Sequence, residues 1–318
     1  MTTTDIVPVS ENVEGQPVQV AVWTPRQTWL AERRRGVGAS EVAAILGQDP
    51  RRGPHAVYLD KLNPHISEEE SDWMAWGRDV EGAIAKAFAR KTGRPIRDLG
   101  AMTILRHASA PLSATLDRET EGSESHPSPA PGPGPLECKA VSSLKKDEWV
   151  ADPPLQFVIQ LQAQMAVTGA AWGSLCALLG GLIPVWVDVP RNQRFIDMML
   201  VEVEAFWRRV ESQDPPPADG KPGTMAAIRA MYPKDSGREI VLPAECDEDF
   251  RKWKAAKEQL SKLKDIADNA EARLKAVMGD ATYGQLPDGT FLKWRVEPRK
   301  AYQVAASEPR VFRHVKGR

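Results

Sequence analysis

The run Arg118–Pro135, RETEGSESHPSPAPGPGP, constrains the fold more than any other stretch. Its prolines remove backbone donors and its glycines add freedom, so it reads as a flexible insertion that continues neither a helix nor a central strand. Two short apolar segments flank it, Leu112–Leu116 and Leu136–Val141, and are expected to pair as a hairpin. Alternate residues of a strand share a face. Glu137 and Lys139 of LECK therefore project together, with Leu136 and Cys138 on the other side. If Leu112–Leu116 is the partner strand, Asp117 lies beside Glu137. Two carboxylates with a fixed ammonium suit a hard cation and phosphodiester hydrolysis. An E-x-K pair is common in itself and describes a solvated hairpin equally well, so the rest of the chain has to decide.

The spacing predicts a helix over Thr24–Arg35, followed by RRRGVGASEVAAILG, in which Ser40 is expected to cap a short helix closed by Gly47. Arginines ahead of a capped helix make an anion site. Ser71–Thr92 is a stronger helix. Its stripe Trp73, Gly77, Glu81, Ile84, Phe88 buries one carboxylate, which needs an arginine or a metal as partner; the metal is the expectation. A strand centred on Met102–Leu105 follows. After Pro153-Pro154 the helix LQFVIQLQAQMAVTG sets Gln160 and Gln164 on one face, on an element too apolar to be solvated all round. Trp172–Leu179 and Leu182–Val189 form a hairpin through Gly180-Gly181, and Gln193–Val210 is an amphipathic helix.

The Pro-rich SQDPPPADGKPG reads as a linker. Beyond it lie a long helix, roughly Asp247–Met278, with a seam at spacings of three and four, and a small β-hairpin through Pro287-Asp288-Gly289. The expected organisation is a disordered leader over 1–17, a catalytic domain over 18–212 with the flexible insertion at 118–135, a linker over 213–244 and a helix-hairpin unit over 245–318.

Several classes of function drop out. Three dispersed cysteines, Cys138, Cys176 and Cys246, cannot build a four-cysteine zinc or iron–sulfur site. They fit reduced thiols in a cytoplasm, and the N-terminus carries no secretory pattern. No apolar run approaches a membrane span, and no P-loop appears. With 42 Lys and Arg against 43 Asp and Glu, the chain has no global attraction to nucleic acid, so any such site must be local.

The ordered motifs GVGASEVAAILG, WGRDVE, SATLD, LECK and IQLQAQMAVTG resemble the YqaJ-type viral recombinases. These are relatives of phage lambda exonuclease among the PD-(D/E)XK nucleases, and the resemblance spans about residues 26–210. It implies a restriction-endonuclease-like αβα sandwich of the α/β class with a mixed central sheet, to which the C-terminal helix and β unit are appended. It implies a Mg²⁺-dependent 5′→3′ exonuclease on double-stranded DNA, with Mn²⁺ as a substitute, leaving single strands for annealing.

The resemblance also assigns roles. Asp117, Glu137, the Cys138 carbonyl and Glu81 match the metal ligands, Lys139 the E-x-K lysine, and Gln160 the family glutamine. Ser40 with Arg33 or Arg34 matches the pocket for a DNA 5′-phosphate. Implied partners are duplex ends, a single-strand annealing protein and further copies of the chain, a trimeric ring being the first expectation. Leu116-Asp117-Arg118 departs from the family's Pro-Asp-Gly. Two alternatives stand beside this reading: an endonuclease or single-strand nuclease on the same fold, and a non-catalytic DNA-end-binding protein.

Overall fold

In the computed structural model the described residues are 7–11, 17–22, 26–63, 72–100, 102–143, 149, 152–181, 183–298 and 310–314. They divide into two compact units, Met1–Pro233 and Lys234–Arg318.

Two five-stranded sheets organise the first unit. One runs in the order Ile183–Pro190, Trp172–Leu179, Gly134–Val141, Arg118–Thr120, Ile96–Arg97. Gly134–Val141 lies parallel to Trp172–Leu179 and every other neighbouring pair is antiparallel, so the sheet is mixed. Cys138 is in register with Cys176, and Glu137 with Leu175. Strand alternation then separates two faces. Leu136, Cys138 and Cys176 pack against Ile84, Ala85 and Phe88 of the helix Asp72–Thr92. Leu175, Ala177 and Leu179 pack against Leu161 and Met165 of the helix Leu155–Thr168. A helix on each face makes the αβα layering expected for this chain. Phe88, Ile84 and Leu161 are wholly buried, each worth about 1.5–3 kcal/mol of apolar burial.

The other sheet runs Val7–Glu11, Pro17–Val22, Thr103–Arg106, Leu112–Ala114, Val37–Gly38. Three expectations change here. Leu112–Ala114 pairs with Thr103–Arg106 and Val37–Gly38, not with the E-x-K strand, whose hairpin partner is Arg118–Thr120. The leader region contains a strand, Val7–Glu11, paired with Pro17–Val22. Ser40 is no helix cap: Gly38 occupies that position on the turn Ala39–Glu41, where its N–H donates to Glu41 Oε2 at 2.7 Å.

Two segments expected to be loose are fastened. Arg118–Thr120 and Gly134–Pro135 are strand, and the run between them hydrogen-bonds back to the core. Arg94 donates to the carbonyls of His126 and Pro127, Ser123 to that of Thr92, and Trp172 to that of Gly132. Gly134 is required where it stands, because a Cβ there would meet the Trp172 carbonyl oxygen at 2.5 Å. The segment read as a linker is likewise bound within the first unit. His55 Nδ1 donates to the Pro216 carbonyl at 2.6 Å, and Lys221 Nζ donates to the carbonyls of Gly47 and Asp49. The helix Pro222–Met231 follows, with Thr224 and Ala227 buried. Composition had marked the segment as irregular; that irregular backbone still found polar partners on the folded unit.

The second unit carries the helix Cys246–Met278 and the two-stranded ribbon Tyr283–Gln285/Phe291–Lys293. Stacked Phe250 and Trp253 on the helix receive His314 and Phe312 edge-on.

Candidate active site

Glu137 stands on the middle of the central sheet, 2% exposed, on the face covered by Leu155–Thr168. Its charge is satisfied by an arranged set of donors. Oε1 accepts from Lys139 Nζ and, at 2.6 Å, from Gln160 Nε2; Oε2 accepts from Gln164 Nε2 at 2.6 Å. Two glutamines one helical turn apart thus hold both oxygens of one carboxylate, while Lys139 reaches it from the same strand face. The Lys139 ammonium also lies over the Phe157 ring at 5.0 Å. Burial alone would lower the Lys139 pKa, but Glu137 and Asp117 outweigh it and hold it above the ordinary lysine value. This lysine stays a cation.

Asp117 lies between the strands Leu112–Ala114 and Arg118–Thr120, where the chain passes from one sheet to the other. Its Oδ2 accepts from the Cys138 backbone N–H at 2.7 Å, which fixes it against the E-x-K strand. Burial, with Glu137 and Glu81 nearby, pushes the Asp117 carboxyl well above its ordinary range, although Lys139 and the Cys138 N–H oppose the rise. The expected convergence of Asp117, Glu137 and Lys139 is therefore present, reached through a strand pairing other than the expected one.

Glu81 has an arginine as its partner. Arg118 Nη1 lies 3.2 Å from Glu81 Oε1, and Nη2 lies 3.2 Å from Asp98 Oδ2. Burial raises the Glu81 carboxyl; Arg118 lowers it and Glu137 raises it further. Among the described residues no three Asp, Glu, His or Cys side chains are grouped to share one ion.

The GVGASE segment is built around a residue that sequence reading did not single out. Glu41 is buried and ion-paired with Lys61 at 2.6 Å. Arg33 lies over the Trp29 ring at 4.7 Å, and Ser40 is exposed. The role of Gln164 is signalled in the sequence only by its position one helical turn from Gln160 on the same face. Arg118 and Arg94 carried no such signal, since their partners Glu81 and Asp188 are distant in sequence.

The model of the YqaJ-like viral recombinase domain matches residues 28–171. The YqaJ protein of Bacillus subtilis (strain 168) is 30% identical over 266 residues, covering 81% of this chain and 80% of its own length. The chain belongs to the YqaJ family. Two crystal structures of LHK-Exo are also similar: one in complex with dAMP, at 22% identity, and one described as an alkaline exonuclease from Laribacter hongkongensis, at 21%. Each has a TM-score of 0.48 and is matched over 59% of this chain and 93% of its own. Among the described residues of this YqaJ-family chain, no helix is long and apolar enough to cross a membrane.

Proposed function

We propose that this YqaJ-family chain is a metal-dependent exonuclease that degrades one strand of duplex DNA from its 5′ end and leaves the other for annealing during recombination. The observation that carries the reading is the buried Glu137 carboxylate, held by Lys139, Gln160 and Gln164, with Asp117 fastened to the next residue of the same strand. An interior acid surrounded by so many fixed donors serves poorly as a packing element, where an apolar side chain would do.

The donor set fits a divalent cation. Among the described residues Asp117 Oδ1 has no hydrogen-bond donor, and Glu137 Oε2 has one donor where a carboxylate oxygen accepts about two. Burial first, and then the neighbouring Glu137 and Glu81 charges, raise the Asp117 carboxyl, which a bound cation would counter. Asp117, Glu137 and the Cys138 carbonyl would hold Mg²⁺, or Mn²⁺ in its place, with Glu81 supplying further charge. When bound, such an ion provides Lewis acidity toward phosphate and a water of lowered pKa.

The chain's own residues supply the rest. Gln160 and Gln164 lock the Glu137 rotamer, so the carboxylate does not reorganise as charge develops. Lys139, kept protonated, places a positive charge where a phosphate oxygen gains negative charge. Arg118 pairs with Glu81 at the rim and opposes the rise that burial imposes on its carboxyl. Ser40 with Arg33 and Arg34 would receive the 5′-phosphate, which sets the polarity. Assembly into a closed ring around the duplex would give this nearly neutral chain a hold on DNA that its net charge does not.

Digestion of linear duplexes ending in 5′-phosphate or 5′-hydroxyl, beside a circular duplex, tests the proposal. The expected result is Mg²⁺-dependent loss of the 5′-phosphorylated strand, slower loss from hydroxyl ends and an intact circle. Cleavage of the circle, or shortening from 3′ ends, would overturn it.

A further inference from the structure

The chain's near-neutral charge conceals an asymmetry. Residues 234–318 carry eighteen Lys and Arg against fourteen Asp and Glu, a net of +4; the remaining twenty-four against twenty-nine give −5. Excess cationic charge therefore belongs to the smaller unit.

On that unit the ribbon presents an unusual face. Tyr283 is opposite Lys293 and Gln285 opposite Phe291, and directly opposed residues of an antiparallel pair share a face. Gly284 and Leu292 occupy the other face, where Gly284 approaches the Met278 side chain. Tyr283 is 60% and Phe291 65% exposed, and neither ring has an aromatic partner among the described residues. The other described aromatics of the unit are engaged: Phe250 and Trp253 with His314 and Phe312, and Trp294 with Lys275 at 5.5 Å. Two open rings interleaved with Lys293 and Gln285 are a poor solution for a solvated hairpin.

We infer that the face formed by Tyr283, Phe291 and Lys293 is a stacking platform for single-stranded DNA. Base faces are available to aromatic rings only in a single strand, since a duplex keeps them stacked. The lysine and the positive unit complement the phosphate backbone, and the glutamine offers sequence-tolerant hydrogen bonding. The platform would retain the strand that the proposed nuclease spares, but the binding itself does not depend on that activity.

The test is fluorescence anisotropy with full-length protein, a labelled oligothymidylate and a matched blunt duplex, in a chelator, with oligonucleotide integrity checked afterwards. The double variant Tyr283→Ala/Phe291→Ala is expected to weaken oligothymidylate binding about tenfold or more, at typical stacking contributions, and to leave duplex binding unchanged. Phe291→Trp should retain affinity, whereas Phe291→Leu should lose as much as Phe291→Ala. Lys293→Ala should reduce the salt dependence. Unchanged oligothymidylate affinity in the double variant would overturn the inference and leave the ribbon to a protein partner. Full affinity in Phe291→Leu would also overturn it, because an apolar contact would then suffice. Both rings are exposed, so an unaltered melting midpoint verifies folding, and the binding readout is separate from any failure to cut DNA.

Discussion

Gln164 donates from Nε2 to Glu137 Oε2 at 2.6 Å, and neither residue is more than 2% exposed. The amide oxygen of Gln164 has no partner among the described residues, so the side chain is committed to giving its N–H to this acid. Gln164→Leu keeps the volume and removes the donor. Stability should fall by about 1–3 kcal/mol. Mg²⁺-supported cleavage should fall on the order of ten- to a hundredfold, as when an outer-shell partner of a metal ligand is lost. Denaturant melts and initial rates across a Mg²⁺ titration check both, and an unchanged rate removes Gln164 from the site.

Glu137→Ala and Lys139→Ala should each abolish cleavage while circular dichroism and duplex binding stay close to wild type. The two side chains meet on one face of one strand, yet the lysine is only partly buried. Near wild-type cutting by either variant in Mg²⁺ would remove the proposed active site.

Arg94 is 3% exposed and forms a two-pronged pair with Asp188 at 2.8 and 2.7 Å while also donating to the His126 and Pro127 carbonyls. Arg94→Ala leaves that acid unpaired and should cost about 3–5 kcal/mol. Limited proteolysis should then cut within 121–133 faster than in wild type. Deleting most of 121–133 should also destabilise the fold, since Arg94 loses two acceptors. A deletion variant with an unchanged melting midpoint would show that the segment is dispensable.

Burial pushes the Glu41 carboxyl up, but Lys61, Arg52 and Arg33 together outweigh it and hold it below its ordinary value. A depressed folded pKa stabilises the protein fully above the unfolded glutamate pKa. That contribution is lost as the pH falls through the folded value. Melting midpoints measured from neutral to acidic pH should therefore decline, and Glu41→Gln should flatten the acid limb of the curve. A wild-type acid limb identical to that of Glu41→Gln would contradict the assignment.

Much of this protein is local in origin. Apolar spacing marks the helices Asp72–Thr92, Leu155–Thr168 and Gln193–Ser212, because a 3.6-residue period is a property of the segment itself. Gly180 and Gly181, both at positive φ, specify the turn of their hairpin. The joint projection of Glu137 and Lys139 follows from strand alternation alone. Partner choice does not. The E-x-K strand pairs with Arg118–Thr120 because the sheet must bury Leu136 on one face and Leu175 on the other, a condition set by both helices at once. Gln164 received its role, and Glu81 an arginine, only when residues far apart in sequence met. Proline-rich composition likewise predicted irregular backbone at 118–135 and 212–223, but it contains nothing about the strand ends Arg118–Thr120 and Gly134–Pro135 or the carbonyls that Arg94, His55 and Lys221 would satisfy. Those contacts join segments distant in the chain, so only the folded structure could decide them.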